Sequence, residues 1–405
     1  MRASETAAGT AWLENFAEVD RVPATMLLDS LRFATLSTVS SGLQLLLAEL
    51  VESGKVDGPV LAVPERALSE FDLAEDASEP PVAFDDFLPG APISVTPGSE
   101  GLVGRLLRDF AEAGGRTHGA WIAPDADLER LRGERARSIV IATDYIGSGN
   151  QLLALAGAIA RNRTIRSWRS LGRIELHAVA FAATPAALDR IRRSREIAQA
   201  WAVEGAPAFA TAIGWARETR AAIRQLCVTE TRIDRAWALG YKGTGGLFAS
   251  EHGAPNNLPA VFWQTKAWRP LFPGRAVPPE VARELGDLRP QPPRRAIAER
   301  VGQLRIGRNE RLNSMPPTSD GMLKVLLLLA GGPRGDEFRA AQLGVDVARV
   351  LGLRDALEQL GLVEPGTGRI TDRGRSELQA QKRARRRTSS GIIGLDEPYY
   401  PASLR

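Results

Sequence analysis

Cysteine is almost missing from this chain: Cys227 stands alone among 405 residues, so no disulfide within the chain can hold its fold. Histidine is scarce as well. The three present, His118, His177 and His252, are scattered and supply no His-rich metal site, and no metal-ligating residue is assigned. Long apolar runs are lacking too, the longest being Val325–Ala330 (VLLLLA), against the roughly 20 residues that a bilayer span needs. The opening MRASETAAGTAWLENF has no apolar stretch behind a basic start, so a secretory signal is not expected. A cytoplasmic protein without a membrane partner is the expectation.

What is present fits a folded chain of two or three domains, with 44% apolar and 25% charged residues. The charge is uneven. Residues 271–405 hold 23 Lys and Arg against 16 Asp and Glu, whereas the first 270 hold 29 against 32. A basic surplus in the C-terminal third suits nucleic acid, although ordinary solvated surfaces carry such surpluses too.

Leucines at helical spacing from Leu27 to Leu50 predict helix over 22–52, stopped by Gly54. Short apolar runs follow at 59–63, 92–95, 120–122, 138–142 and 174–182, with amphipathic stretches at 102–111 and 150–160. Strand and helix alternating at this spacing predict an α/β fold, a doubly wound parallel sheet. From Pro270 prolines and arginines crowd together, the composition of a stiff linker. Beyond it, three helical stretches (322–330, 336–343, 347–360), a hairpin-like VEPGTGRI at 363–370 and a last helix at 371–382 predict a C-terminal winged-helix domain. The expected division is an N-terminal helical segment (1–54), the α/β domain (55–269), a Pro/Arg-rich linker (270–317), the winged helix (318–382) and a basic, aromatic tail (383–405). The tail holds most of the basic run 382–387 and a Tyr399-Tyr400-Pro401 segment suited to docking.

The chemistry concentrates in Ser138–Gln151, SIVIATDYIGSGNQ. An apolar strand runs into Asp144, then a loop of Gly147, Ser148 and Gly149, then a helix opening at Asn150. Glycines let backbone N–H groups approach a phosphate, the serine adds a hydroxyl, and the helix start adds free amides. Asp144 at the strand end could accept bonds from the vicinal hydroxyls of a ribose, and Thr143 stands beside it. The plain alternative is a turn that merely joins strand to helix.

This stretch resembles the motif that binds phosphoribosyl diphosphate (PRPP) in the type I phosphoribosyltransferase fold. It departs from the family in carrying Thr143 where a second acid usually stands. The resemblance implies a pyrophosphate loop at Pro97-Gly98-Ser99-Glu100-Gly101 and an inserted hood near Thr117-His118-Gly119 and Trp121. The segment 239–263, with Tyr241 able to stack on a ring and Asn256 and Asn257 able to read a base edge, completes the substrate set; a hydrogen-bonded structural corner is its alternative. PRPP is thus the implied ligand or substrate, with Mg²⁺ as an optional companion.

Together, these loops and the N-terminal helices, roughly residues 10–270, resemble the phosphoribosyltransferase-like domains of prokaryotic conflict systems, retron-associated antiphage effectors among them. That resemblance implies a toxic effector restrained by a partner, with DNA or an RNA–DNA complex with a reverse transcriptase as candidate partners, and leaves oligomerisation open. In the winged helix, Arg349, Arg354, Arg369 and Arg373 are the expected nucleic-acid contacts. Two function classes remain: an effector acting on a nucleotide or nucleic acid, and a PRPP-sensing transcription regulator without catalysis. A concave pocket joining Asp144, Ser148, Ser99 and Asn257 would favour the first; Asp144 neutralised by an arginine would favour the second.

Overall fold

The computed structural model describes residues 2–71, 79–91, 99–114, 121–212, 215–286, 288, 294–310, 312, 315–332 and 334–382. The expected strand at 92–95, the hood residues 117–119, Pro97 and Gly98, and the tail from 383 lie outside the described residues.

Five strands form one parallel sheet: β2 (Val60–Pro64), β3 (Trp121–Ile122), β4 (Ser138–Ile146), β5 (Glu175–Ala183) and β6 (Gln199–Gly205), in the order β3-β2-β4-β5-β6. All of β2 and β4 is buried, as expected of central parallel strands written as continuous apolar runs. Alternate residues divide between the faces. Leu61, Val63, Ile139 and Ile141 pack with Leu152, Leu155 and Ile159 of α6 (Asn150–Arg161). Val60, Ala62, Val140 and Ala142 pack with Val39, Leu43 and Leu47 of α3 (Leu36–Glu52) and with Val103 and Leu107 of α4 (Ser99–Gly114). Each such fully buried Val, Leu or Ile side chain contributes about 1.5–3 kcal/mol by leaving water. The helices α5 (Leu128–Gly133), α7 (Arg163–Ser170) and α8 (Pro185–Arg192) complete the wrapping. Because β3 lies on one side of β2 and β4 on the other, the chain leaves these two neighbours in opposite directions. A crevice opens at their carboxyl ends.

The expected single helix at 22–52 is interrupted. Between α2 (Arg21–Leu28) and α3, the strand β1 (Arg32–Ala34) pairs in parallel with β7 (Phe248–Ser250). The Arg32 guanidinium, 3% exposed, sits 2.6 Å from the Glu204 carboxylate on β6, and Phe33 stacks with Phe272 at 6.2 Å. These partners are distant in sequence, and they outweigh local helix propensity. The same core takes in α1 (Ala7–Leu13), whose Trp12 stacks on Phe262 at 5.1 Å and donates to the Val261 carbonyl, and α9 (Arg217–Glu230).

The C-terminal unit contains α13 (Pro317–Ala330), α14 (Asp336–Leu343), α15 (Val347–Gln359) and α16 (Asp372–Lys382). Its wing is tied by a single bridge between Val363 and Ile370. The stretch expected as linker holds α10 (Pro279–Leu285), α11 (Arg294–Arg300) and α12 (Leu304–Gly307). Ile297, Ala298, Ile306 and Leu312 share one core with Leu326, Val350, Leu353 and Leu357. Proline clustering masked this, since Pro279 opens a helix at a position where no N–H partner is lost.

The winged helix is docked on the sheet. α14 and α15 pack against β6, Glu204 bridges to Asp346, Arg192 binds Glu337 at 2.6 Å, and the Gln342 amide donates to the Thr211 carbonyl at 2.5 Å. No described helix is long and apolar enough to cross a membrane.

Candidate functional site

A cavity of about 970 Å³ lies at the carboxyl ends of β2 and β4, the upper part of the size range of small-molecule sites. Its floor is Thr143, Asp144 and the loop Gly147–Gly149, and Asn150 opens α6 at its edge. Gly149 adopts φ +75°, a left-handed turn that aims the chain into the helix, and the Asn150 N–H lies 3.4 Å from the Ser148 hydroxyl oxygen. Arg190 of α8 clamps the loop from outside, donating to the Ser148 carbonyl at 3.3 Å and to the Asn150 side chain. Thr184 donates to the Gly147 carbonyl at 2.8 Å. The loop amides are therefore held in place beside a fixed positive charge, a geometry that receives phosphate.

The far wall comes from 241–257. Tyr241, Asn256 and Asn257 all line the cavity. Asn257 is strongly engaged: its side-chain amide donates to Thr244 at 2.8 Å, its carbonyl accepts from Gly246 at 2.9 Å, and a Cβ on Gly147 would fall 2.2 Å from its Cγ. Asn257 thus clamps the wall to the phosphate loop. Asn256, half-buried, uses its carbonyl to hold the Tyr241 N–H at 2.8 Å.

Of the expected pyrophosphate segment, Ser99 and Gly101 fall in the first turn of α4, where Glu100 lines the cavity. Among the lining residues that the sequence reading did not single out are Glu65, His252 and Arg275. Glu65 matters most. It leaves β2 where Asp144 nears the end of β4, its N–H donates to the Ala142 carbonyl, and it is only 8% exposed. Burial pushes its carboxyl up to about 8, a Thr143 hydrogen bond pulls the other way, and Asp144 and Glu100 add to the rise. Asp144, 9% exposed, is also raised by burial, while His252 beside it pulls it down. The signal for Glu65 was there to read: an acid directly after an apolar strand, the signal that marked Asp144.

The second acid expected next to Asp144 in sequence is thus met across the strand pair. No arginine is paired with Asp144 among the described residues; its carboxylate accepts from the Thr143 hydroxyl at 3.4 Å and lines the cavity. Among the described residues no group of three or more His, Cys, Asp or Glu side chains could hold a metal ion by itself.

The expected nucleic-acid residues occupy a different region. Arg349, Arg369 and Arg373 are exposed, while Arg354 is bound to Asp336 at 2.5 Å and lies near Glu358 at 3.5 Å. Arg354 therefore stands on the docked side of its helix rather than free for phosphate.

Comparison with known families gives two matches. The family described as PRTase-CE matches residues 10–273, and that described as wHTH-PRTase associated matches residues 323–405. No curated protein and no solved structure matches the chain.

Proposed function

The chain belongs to the PRTase-CE family and carries the associated winged helix, and from that premise we propose that its cavity binds PRPP or a ribonucleotide and acts at the ribose C1′ carbon. The observation that carries this reading is the pair of buried carboxyls, Glu65 and Asp144, at the ends of adjacent strands and facing a glycine-lined phosphate loop within one cavity. The loop Gly147–Asn150 takes the 5′-phosphate, and Asp144 accepts from the ribose hydroxyls. Glu65, protonated near neutral pH, donates a hydrogen bond to the ligand. Departure of the leaving group with the C1′–O electron pair builds positive charge on the sugar ring, and a cavity rich in acids stabilises that charge. The acceptor's lone pair then forms the new C1′ bond and its proton passes to water. Mg²⁺, where it enters, would be held by Asp144 and the ligand's phosphate oxygens, and by Glu65 only once that carboxyl has given up its proton, and would offset the repulsion between a diphosphate and Glu100.

The sensor reading rested on Thr143 in place of an acid; Glu65 supplies that acid, which supports catalysis. By resemblance we extend the proposal to a prokaryotic antiphage effector of the retron-associated kind, its winged helix docking on nucleic acid. Calorimetric titration with PRPP, ribose 5-phosphate and nucleotides, with and without Mg²⁺, tests the site. Asp144→Ala should weaken binding about 10- to 100-fold, the loss of charged hydrogen bonds. Absence of binding to all of these ligands in the wild-type chain would sink the reading.

A further inference from the structure

A second cavity, of about 1330 Å³, lies between the two folded units. It is walled by α8, by the turn at Ala210 and Thr211, and by α14, the wing and α16. Eight Lys and Arg side chains line it against three Asp and Glu. Four of these cations are neutralised: Arg192 by Glu337, Arg339 and Arg354 by Asp336, and Arg375 by Asp372. Arg300, Arg334, Arg369 and Lys382 have no carboxylate partner among the described residues.

Arg300 is the most telling. Among the described residues its guanidinium donates to carbonyl oxygens alone, those of Thr211 and Ala212 at 3.3 and 3.4 Å and that of Ala210 at 3.5 Å. Burial lowers its pKa from the ordinary value, and the like charges of Arg220 and Arg334 lower it further. Cations crowded together without carboxylates are costly unless an anion relieves them. Arg300 and Arg334 also stand near one ring, 5.7 and 5.4 Å from the centroid of Phe338, which is half-buried on the cleft wall.

We propose that this cleft binds a single-stranded nucleic acid, with phosphates on Arg300, Arg334, Arg369 and Lys382 and a base stacked on Phe338. The free cations come from α11, the turn before α14, the wing and α16, so they suit a ligand with several anionic groups in series. An aromatic ring among arginines is the platform on which an unpaired base stacks. A duplex is disfavoured because α15, the helix that would enter a major groove, packs on β6 and has its Arg354 tied to Asp336. This inference rests on the reading that the winged helix docks the chain on nucleic acid, and not on the nucleotide cavity.

Fluorescence anisotropy of the full chain with a labelled single-stranded oligonucleotide, the matching duplex and inorganic tripolyphosphate as competitor tests it. The single strand should bind more tightly than the duplex. Arg334→Glu and, from a separate element, Arg369→Glu should each weaken it about 10-fold or more, and the slope of log K against log salt should shrink by about 0.7 per lost contact. Phe338→Leu keeps an apolar side chain but removes the ring, and should cost about 5-fold or more. Thermal melting of each variant separates these losses from unfolding. Preference for the duplex, lost in Arg349→Ala and kept in Arg334→Glu, would overturn the cleft and preserve winged-helix docking. Failure of every oligonucleotide to bind would overturn both. Tripolyphosphate displacing the strand at equal phosphate concentration would reduce the cleft to a site for simple anions and overturn the nucleic-acid assignment.

Discussion

The two cavities of this protein are built in opposite ways. The one at the ends of β2 and β4 is acidic, lined by Glu65, Glu100 and Asp144, and is shaped by backbone: strand ends, a left-handed glycine and a helix start. The one beside the winged helix is basic and is shaped by side-chain bonds that hold two units together, such as Arg192 to Glu337 and Gln342 to Thr211. The contrast agrees with the separate ligands proposed for them. An acidic crevice suits a sugar that becomes cationic, whereas a basic cleft suits a polyanion, so ligands of the two need not compete.

Both nevertheless depend on one sheet, and the largest predicted effect falls there. Arg32→Ala leaves the Glu204 carboxylate, 2% exposed, buried on β6 without its cation, and should lower stability by about 3–5 kcal/mol in urea denaturation, weakening both cavities together. Retention of either function at full strength would show that the cavities are less coupled than this.

Glu65→Gln separates them by pH. The unfolded chain gives up this proton near 4.5 and the folded chain only near about 8. Between those values the unfolded state holds fewer protons, so stability falls as pH rises. The glutamine removes that fall: melting temperatures of variant and wild type should lie close together in acid and diverge in the variant's favour towards pH 8. A parallel decline in the variant would place the titrating group elsewhere.

Gly147→Ala tests the backbone origin of the acidic crevice. The added Cβ meets the Asn257 amide at 2.2–2.5 Å, so the loop or the wall must move, at about 1–3 kcal/mol. Nucleotide binding should drop in calorimetry with oligonucleotide binding unaffected. The smallest effect is expected of Arg192→Ala. Its guanidinium is part-exposed but holds the Glu337 carboxylate and the Ala200 carbonyl, and its loss should cost about 1–2 kcal/mol, read as a melting shift and a modest loss of oligonucleotide affinity.

Legibility in the sequence followed the range of the interactions. β2, β4 and β5 were readable because central parallel strands are written as apolar runs, and the loop Gly147–Gly149 was readable because its glycines and serine are consecutive. β1 was not, since Arg32–Ala34 becomes a strand only by meeting Phe248–Ser250, more than two hundred residues on. β6 was missed because QAWAVEG, an edge strand, mixes polar and apolar residues and shows no run. Glu65 was readable as an acid directly after an apolar strand, but its partnership with Asp144 crosses from one strand to its neighbour, a relation that spacing along the chain does not encode. The basic cleft was legible only as a charge surplus; which arginines are free, and which are consumed by Asp336 and Glu337, is decided by docking.

The seating of α14 on β6 has one more consequence. β6 is the last strand of the sheet, and an open last strand offers its unpaired N–H and C=O groups to any neighbouring chain as a template. Glu204, on that strand, is instead bridged by Asp346 of the winged unit. The winged helix is therefore also a cap against self-association: a chain cut back to the α/β unit should form oligomers or precipitate at concentrations where the whole chain stays dispersed.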